Sequence, residues 1–212
     1  MKRKLLGSFI FIVSVFVIVL IVWSSMSLLP SSHLSEKNTV TNFTFDNGEP
    51  KLSAGLGTPF HQTVNGVTAA FSSPSDPTAF SIQNYGTTFT PLSMFSGNYL
   101  WDDQSFRADL DIKFSRSLTA ITLTFVTVEH YAAGERDQPS TIELFAYENV
   151  STMTMVGSSS AHGNLSGATY AQGLLSFESG NKPFNQVRLT LPVQTMGASQ
   201  FYIDNVTITL AS

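Results

Sequence analysis

Short runs of Val, Ile, Thr and Phe recur along the chain from residue 40 to residue 210, separated by clusters of Gly, Pro, Asn, Asp and Ser. Such runs predict β-strands joined by turns. This region shows no convincing window with the apolar spacing of an amphipathic helix. The predicted strands are residues 40–45, 66–71, 79–83, 108–114, 118–128, 141–147, 152–158, 173–177, 186–191 and 200–210. Ten strands are enough for two packed sheets, so the sequence predicts an all-β sandwich.

Apolar and polar residues alternate within several of these runs. Leu110, Ile112 and Phe114 share one face of their predicted strand, while Asp111 and Lys113 share the other. A strand that is apolar on one side only is typical of an antiparallel sheet with one solvated face. The alternation therefore predicts antiparallel sheets that bury one face each.

The last predicted strand changes phase. Phe201 and Ile203 place its apolar face on odd positions, whereas Val206 and Ile208 place it on even positions. A phase change within one strand requires a bulge or a sharp twist. If the second register extends back by one pair, Asp204 turns toward the inside, where a carboxylate is costly unless a partner meets it.

The amino terminus predicts a membrane segment. Residues 1–4 carry three basic side chains, and residues 5–23 form an uncharged run of 19 residues rich in Ile, Val, Leu and Phe. That length nearly spans a hydrocarbon core of ~30 Å and exceeds the usual apolar run of a secretory signal. We therefore favour a retained single-pass anchor over a cleaved signal. The positive-inside rule then places residues 24–39, a stalk, and residues 40–212, the domain, outside the cytoplasm.

Composition excludes several functions. The chain has no Cys, which removes disulfide scaffolds, thiolate metal sites and thiol nucleophiles. Eight basic and 15 acidic residues remain after the basic flank is set aside, a net charge of −7. An acidic exterior disfavours nucleic acids as partners and is compatible with cations and neutral sugars.

Several short motifs carry a resemblance to a known family. The closing segment Phe201-Tyr-Ile-Asp-Asn-Val206 resembles a recurrent signature of exported bacterial and archaeal β-sandwich modules. These are galactose-binding-like and carbohydrate-binding jelly rolls, and sandwich proteins found with a PEP-CTERM sorting tail. The opening segment Phe43-Thr-Phe-Asp-Asn-Gly48 and the segment Leu100-Trp-Asp-Asp103 are similar to inner strands of the last group. The printed sequence shows no sorting tail after Leu210, so we expect residues 5–23 to provide the anchor.

The resemblance implies a jelly-roll-like sandwich whose first and last strands lie close together around a structural calcium ion. By position, Asp46 and Asp204 match the carboxylate ligands of such modules. Calcium binds six to eight oxygens, so backbone carbonyls, Asn side chains and water would complete the site. The phase change supports Asp204 independently. An Asp-Asn-Gly turn after a strand is an equally good explanation of Asp46.

The segment Tyr99-Leu-Trp-Asp-Asp103 is the best candidate for sugar contact. The flat faces of Trp101 and Tyr99 suit the apolar face of a pyranose, and Asp102 and Asp103 offer acceptors for its hydroxyl groups. The alternatives are a core position for Trp101, and a turn or a second cation site for the two acids.

The sequence offers weaker support for catalysis. Glu143 and Glu148 are five residues apart and so lie on opposite faces of a strand, which excludes them as the acid pair of a glycosidase. The titratable residues within 129–137 are explained by a polar loop. We therefore predict an extracytoplasmic, non-catalytic sandwich that binds carbohydrate or another envelope polymer or serves a structural role. The alternative is a carbohydrate-active hydrolase on the same sandwich.

Overall fold

A computed structural model of the chain describes residues 39–84, 92–103, 107–128, 141–148, 154–165, 170–192 and 200–212. These residues form eleven strands and pair only in antiparallel fashion. The strands are β1 (Val40–Phe43), β2 (Phe60–Val64), β3 (Val67–Ser72), β4 (Phe80–Asn84), β5 (Asn98–Asp102), β6 (Leu110–Val128), β7 (Thr141–Tyr147), β8 (Met155–His162), β9 (Ala171–Glu178), β10 (Phe184–Thr190) and β11 (Gln200–Leu210).

One long strand, β6, belongs to both layers of the fold. Its first half pairs with β3 and β10, and its second half pairs with β11 and β9. The front sheet has the order β4-β5-β11-β6-β9, with β1 paired to the end of β11. The back sheet has the order β2-β3-β6-β10-β7-β8. This arrangement confirms the predicted all-β, antiparallel, two-sheet sandwich.

The core lies between the two sheets. Ile82, Leu100 and Ile203 of the front sheet join one buried cluster with Leu144 and Val187 of the back sheet. The predicted inward residues of the first half of β6, Leu110, Ile112 and Phe114, are all buried in this cluster. Period-two alternation therefore identified the core face correctly, because burial of that face fixes the strand register.

Residues 108–114 and 118–128, predicted as two strands, are joined in β6. The connecting residues Ser115, Arg116 and Ser117 are exposed yet stay extended. Here the chain passes from the back sheet to the front sheet, which leaves its side chains in solvent. Polar composition at this point indicated a break, whereas the backbone continues without one.

The phase change in β11 is confirmed at the predicted place. The pairing of β11 with β6 shifts register between Asp204 and Thr207, and Asn205 has a positive φ of 52°. Ile203 and Val206 thereby both reach the core. Asp204 is fully buried, as predicted. It lies on the same face of β11 as Tyr202, beneath Ser96, rather than between the two sheets.

Two strands were not among the periodic predictions. β2 follows a turn, and β5 has side chains covered on both faces. Covering of both faces removes the alternation on which the prediction depended. β5 is the strand that carries Trp101.

The predicted membrane segment, residues 5–23, and residues 24–38 of the predicted stalk lie outside the described residues. In the part of the chain that the structure describes, no helix has the length and apolar character needed to cross a membrane.

Candidate functional site

An aromatic cluster covers the outer face of the front sheet. Its buried members are Leu92, Phe95, Tyr99, Val126, Val128 and Tyr202, and Met94, Trp101 and Tyr170 pack against them while partly exposed. We call this set the aromatic face. The ring centroids of Phe95 and Tyr99 are 5.5 Å apart, and those of Tyr99 and Tyr202 are 6.0 Å apart. β5, β6 and β11 carry five of these residues, and Leu92, Met94, Phe95 and Tyr170 lie in the segments before β5 and β9.

Trp101 lies at the exposed edge of the aromatic face. It pairs with Ser81 of β4 on one side and with Tyr202 of β11 on the other. Its ring centroid is 5.6 Å from that of Tyr202, with the rings inclined at 63°. Its indole N–H is buried and has no hydrogen-bond partner among the described residues. The indole is therefore held by packing rather than by hydrogen bonding.

A row of polar side chains runs along β4 beside Trp101. Gln83 donates from Nε2 to the Ser81 hydroxyl at 3.1 Å. The Ser81 hydroxyl donates to Oδ2 of Asp103 at 3.5 Å. The backbone N–H of Asp103 donates to the carbonyl of Ala79 at 2.7 Å, which fixes the residue next to the sheet. The exposed carboxylate of Asp103 therefore reaches Ser81, the strand partner of the partly exposed Trp101.

The four predicted sugar-contact residues separate into two pairs. Trp101 is partly exposed and Asp103 is exposed, so both reach the surface. Tyr99 is only 1% exposed and lies in the cluster, where its ring contacts Tyr202. Asp102 is fully buried, on the opposite face of β5 from Trp101. Successive side chains of a strand point to opposite faces, which accounts for the separation of Trp101 and Asp102.

Tyr202 is a member of the aromatic face that the sequence did not identify. Burial raises the pKa of its hydroxyl above the ordinary value, and Tyr170, Tyr99 and Asp102 raise it further. Tyr202 alternates with Phe201 and Ile203, whose apolar faces were assigned to the core. The same alternation would have placed Tyr202 on the outer face, opposite the core.

The segment from Leu92 to Gly97 is fastened onto the aromatic face by side chains from other elements. Oε1 of Gln172 in β9 accepts the backbone N–H of Met94 at 3.1 Å and the Ser93 hydroxyl at 3.5 Å. Oδ2 of Asp204 accepts the backbone N–H of Ser96 at 3.1 Å. These contacts hold the segment that leads into β5 and hence into Trp101.

The two predicted cation ligands meet this segment together. Oδ1 of Asp46 accepts the backbone N–H of Asn98 at 2.9 Å, two residues beyond the contact made by Asp204. A Cβ atom added to Gly97 would overlap the Asp46 carboxylate. Asp46 is exposed, whereas Asp204 is fully buried.

The carboxyl of Asp204 is buried near a second acid, Asp46. Burial raises the pKa of its carboxyl to about 7, although the N–H groups of Ser96 and Asn205 lower it, and the charge of Asp46 raises it. A second negative charge near a buried carboxylate is a cost that a bound cation would relieve. The donors of both residues are carboxylate oxygens, the ligand type that calcium prefers.

Asp46 lies in the turn after β1, and its neighbour Asn47 supplies the hydrogen bonds of that turn. Oδ1 of Asn47 accepts the N–H of Thr44 at 3.2 Å, and Nδ2 of Asn47 donates to the carbonyl of Asn42 at 2.7 Å. Asn47 thus closes the turn. Among the described residues, His, Asp and Glu form no cluster of three or more that could hold a metal ion.

Asp111, on the outward face of β6, forms a two-point ion pair with Arg188 of β10. The polar loop predicted at residues 129–137 lies outside the described residues.

Comparison with known proteins gave matches among solved structures alone. No protein-family model matches the chain. No curated protein matches it either. The K1 cleaved adhesin domain of Lys-gingipain from Porphyromonas gingivalis W83 is 12% identical, with a TM-score of 0.45, and the match covers 82% of this chain and 99% of that domain. The K2 cleaved adhesin domain of Lys-gingipain is 9% identical, with a TM-score of 0.49 and the same coverage.

A carbohydrate-binding module is a third such match. TmCBM61, solved in complex with β-1,4-galactotriose, is 9% identical with a TM-score of 0.40, and the match covers 80% of this chain and 99% of that module. Solved structures that this chain resembles thus include adhesin domains, carbohydrate-binding modules and the enzymatically active domain of bacteriophage CBA120 tailspike protein 4.

Proposed function

We propose that this chain is a non-catalytic carbohydrate-binding β-sandwich that works outside the cytoplasm. The observation that carries the proposal is the position of Trp101, a partly exposed indole flanked by the polar row of Gln83, Ser81 and Asp103. A pyranose has one apolar face and a rim of hydroxyl groups. An aromatic ring beside a carboxylate and an amide complements both features.

In this proposal each part of the aromatic face has a distinct task. Trp101 provides the stacking surface, and Asp103 accepts hydrogen bonds from sugar hydroxyl groups. Tyr99 and Tyr202 are positioning residues, because they are buried and pack against one another beneath the indole. A ring that is already fixed loses little side-chain entropy when a ligand binds.

We further propose that Asp46 and Asp204 hold a structural calcium ion. Bound calcium would supply positive charge between the opening turn and the closing strand. Both carboxylates fasten the segment that leads into β5, so the ion would stabilise the strand that presents Trp101. Residues 5–23 are proposed to anchor the chain in the membrane with this domain outside.

Binding to a panel of immobilised glycans, followed by calorimetry on any glycan retained, tests the carbohydrate proposal. Trp101→Ala should weaken binding by roughly tenfold or more, because truncation of a stacking aromatic removes a central contact. Trp101→Phe should retain part of the affinity, since it keeps a smaller aromatic face, and the indole N–H that it removes has no partner among the described residues.

A matched control is Leu174→Ala, which removes a 57% exposed apolar side chain from β9 of the same sheet. This variant should bind like the wild type. Equal binding by the wild type and a folded Trp101→Ala variant would overturn the assignment of the site. Failure of the wild type to bind any glycan would overturn the function.

A further inference from the structure

The outer face of the back sheet carries a second group of aromatic side chains, far along the chain from Trp101. Phe145 and Tyr147 are two residues apart on β7 and share its outward face. The alternating residues Leu144 and Ala146 are buried in the core. Both rings are partly exposed. Outward positions of a half-buried strand are ordinarily polar, so two aromatic rings there are unusual.

Neighbouring strands place polar groups directly beside these rings. The register pairs Phe145 with Arg188 of β10, and Arg188 with Asp111 of β6. The adjacent row pairs Tyr147 with Gln186, and Gln186 with Lys113. On the other side, Tyr147 pairs with Met155 of β8, which is 57% exposed.

Arg188 is fixed in one orientation. Its Nε donates to Oδ1 of Asp111 at 2.7 Å, and its Nη2 donates to Oδ2 at 2.8 Å. The hydrogen bonds that Arg188 donates to Asp111 raise the pKa of Arg188 above its ordinary value, and Asp109 and Tyr147 add to that effect. Two parallel bonds hold the guanidinium plane and neutralise its charge. Its remaining amino nitrogen has no partner among the described residues.

Gln186 adds a buried hydrogen-bond acceptor beside these rings. It is 4% exposed, and its Oε1 atom has no hydrogen-bond partner among the described residues. A buried acceptor without a partner is a cost that native structures normally avoid. This acceptor lies in the row between Lys113 and Tyr147.

We infer that Phe145, Tyr147, Gln186 and the Arg188–Asp111 pair form a second glycan-binding surface, which we call the back platform, for an uncharged polysaccharide. Aromatic rings side by side on a strand offer stacking positions. The ion pair presents donors and acceptors together, as pairs of sugar hydroxyl groups require. Asp111 compensates the charge of Arg188, and Lys113 and Asp109 beside this pair add one charge of each sign. The platform therefore has no net charge to favour an anionic polymer.

The back platform and Trp101 lie on the outer faces of opposite sheets. A protein with one glycan site on each side can bind two polymer chains at once and bridge them. Binding of one long chain at two positions would also raise the apparent affinity through effective concentration. The back platform does not depend on the Trp101 site, and either can fail without the other.

Affinity electrophoresis in gels containing xylan, galactan or β-glucan tests the inference, with the domain's melting temperature recorded for every variant. The double variant Phe145→Ala/Tyr147→Ala should be retarded less by a neutral polysaccharide, with a dissociation constant raised roughly tenfold. Trp101→Ala should keep the retardation that is due to the back platform. The triple variant, which combines all three substitutions, should show no retardation.

Arg188→Lys is the second variant, in case removal of two rings unfolds the domain. It keeps the charge and loses the two-point hydrogen bonding, so it should weaken binding at the back platform alone. Turbidity of a dilute polysaccharide gives the bridging readout: the wild type should aggregate the polymer, whereas a variant of either face should bind without aggregating it.

The outcomes separate the two sites. If folded platform variants bind and aggregate polysaccharide like the wild type, the back platform is not a glycan site. If Trp101→Ala alone abolishes all retardation, the inference fails while the proposed function stands. If the platform variants alone abolish it, the Trp101 assignment fails and the inference stands. Retention of a peptide or protein, with polysaccharide binding unaffected in the platform variants, also overturns the inference.

Discussion

Asp46 and Asp204 accept hydrogen bonds from two backbone N–H groups that flank a single residue, Gly97. One carboxylate comes from the turn after the first strand and the other from the bulge in the last strand. The chain between Ser96 and Asn98 therefore ties the beginning of the domain to its end. No disulfide performs this task, because the chain has no Cys.

Calcium should stabilise the folded domain through this pair of carboxylates. Binding to the folded form alone contributes ~2.7 kcal/mol at a hundredfold excess over the dissociation constant. For a domain of this size, that corresponds to a rise in melting temperature of roughly 5 to 10 °C. Scanning calorimetry in calcium and in chelator measures the difference.

Asp46→Ala should abolish the difference in melting temperature between calcium and chelator. Asp204→Ala should abolish it too and should also lower the melting temperature itself. Asp46 is exposed, so its replacement leaves the core intact. The control is Glu178→Gln, which removes an exposed acid from β9 and should keep the response to calcium. Identical melting of the wild type in calcium and in chelator would show that no cation is involved.

The buried carboxyl of Asp204 should make stability depend on pH in calcium-free buffer. Its pKa is about 7 in the folded protein and 3.8 in its ordinary state. The folded form holds this proton more tightly, so its contribution is complete below about pH 4 and is lost as the pH rises toward 7. The loss amounts to about 4 kcal/mol at most.

Asp204→Asn isolates this contribution, because asparagine keeps an acceptor for Ser96 and does not ionise. The free energy of unfolding of the wild type, relative to that of the variant, should fall between pH 4 and 7 and level off above pH 8. Urea denaturation across this range measures it. Parallel curves for the two proteins would contradict the raised pKa.

Gly97→Ala should destabilise the domain for two separable reasons. Gly97 has a positive φ of 63°, which costs a residue with a Cβ atom about 1 kcal/mol or more, and its new methyl group would meet the Asp46 carboxylate. In the Asp46→Ala background only the first cost remains. The substitution should therefore be less damaging there, which a double-mutant cycle of unfolding free energies checks. Additive effects would mean that the two residues do not meet.

Residues 5–23 should hold the chain at the membrane with the domain outside. The three basic residues before them and the length of the apolar run are the basis of this expectation. In fractionated cells the protein should be found with membranes, and protease added to cells with a permeabilised envelope should digest residues 40–212. Recovery in the cytosol, or protection from that protease, would refute the topology.

The strands and their inward faces were predictable where one face of a strand is buried and the other is not. Leu110, Ile112 and Phe114 are examples, because alternation alone identifies their side. The bulge at Asn205 was also predictable, since the phase of the apolar residues changes there. These features depend only on neighbours in the chain.

Features that depend on distant partners were not predictable. The side of β5 that Trp101 occupies is set by Tyr202 and Ser81, which lie far away in the sequence. Likewise, the pairing of Arg188 with Asp111 requires β10 to lie beside β6. The sequence shows an acid in one strand and a base in another, but it does not tell which residues of the two strands face each other.

The sharing of β6 between the two sheets has a consequence for how the domain unfolds. Residues 110–128 hydrogen-bond to β3 and β10 in the back sheet and to β11 and β9 in the front sheet. Neither sheet can separate from β6 without exposing the core that the other covers. The two sheets should therefore lose structure in one cooperative step, with the amide hydrogens of β6 among the slowest to exchange with solvent.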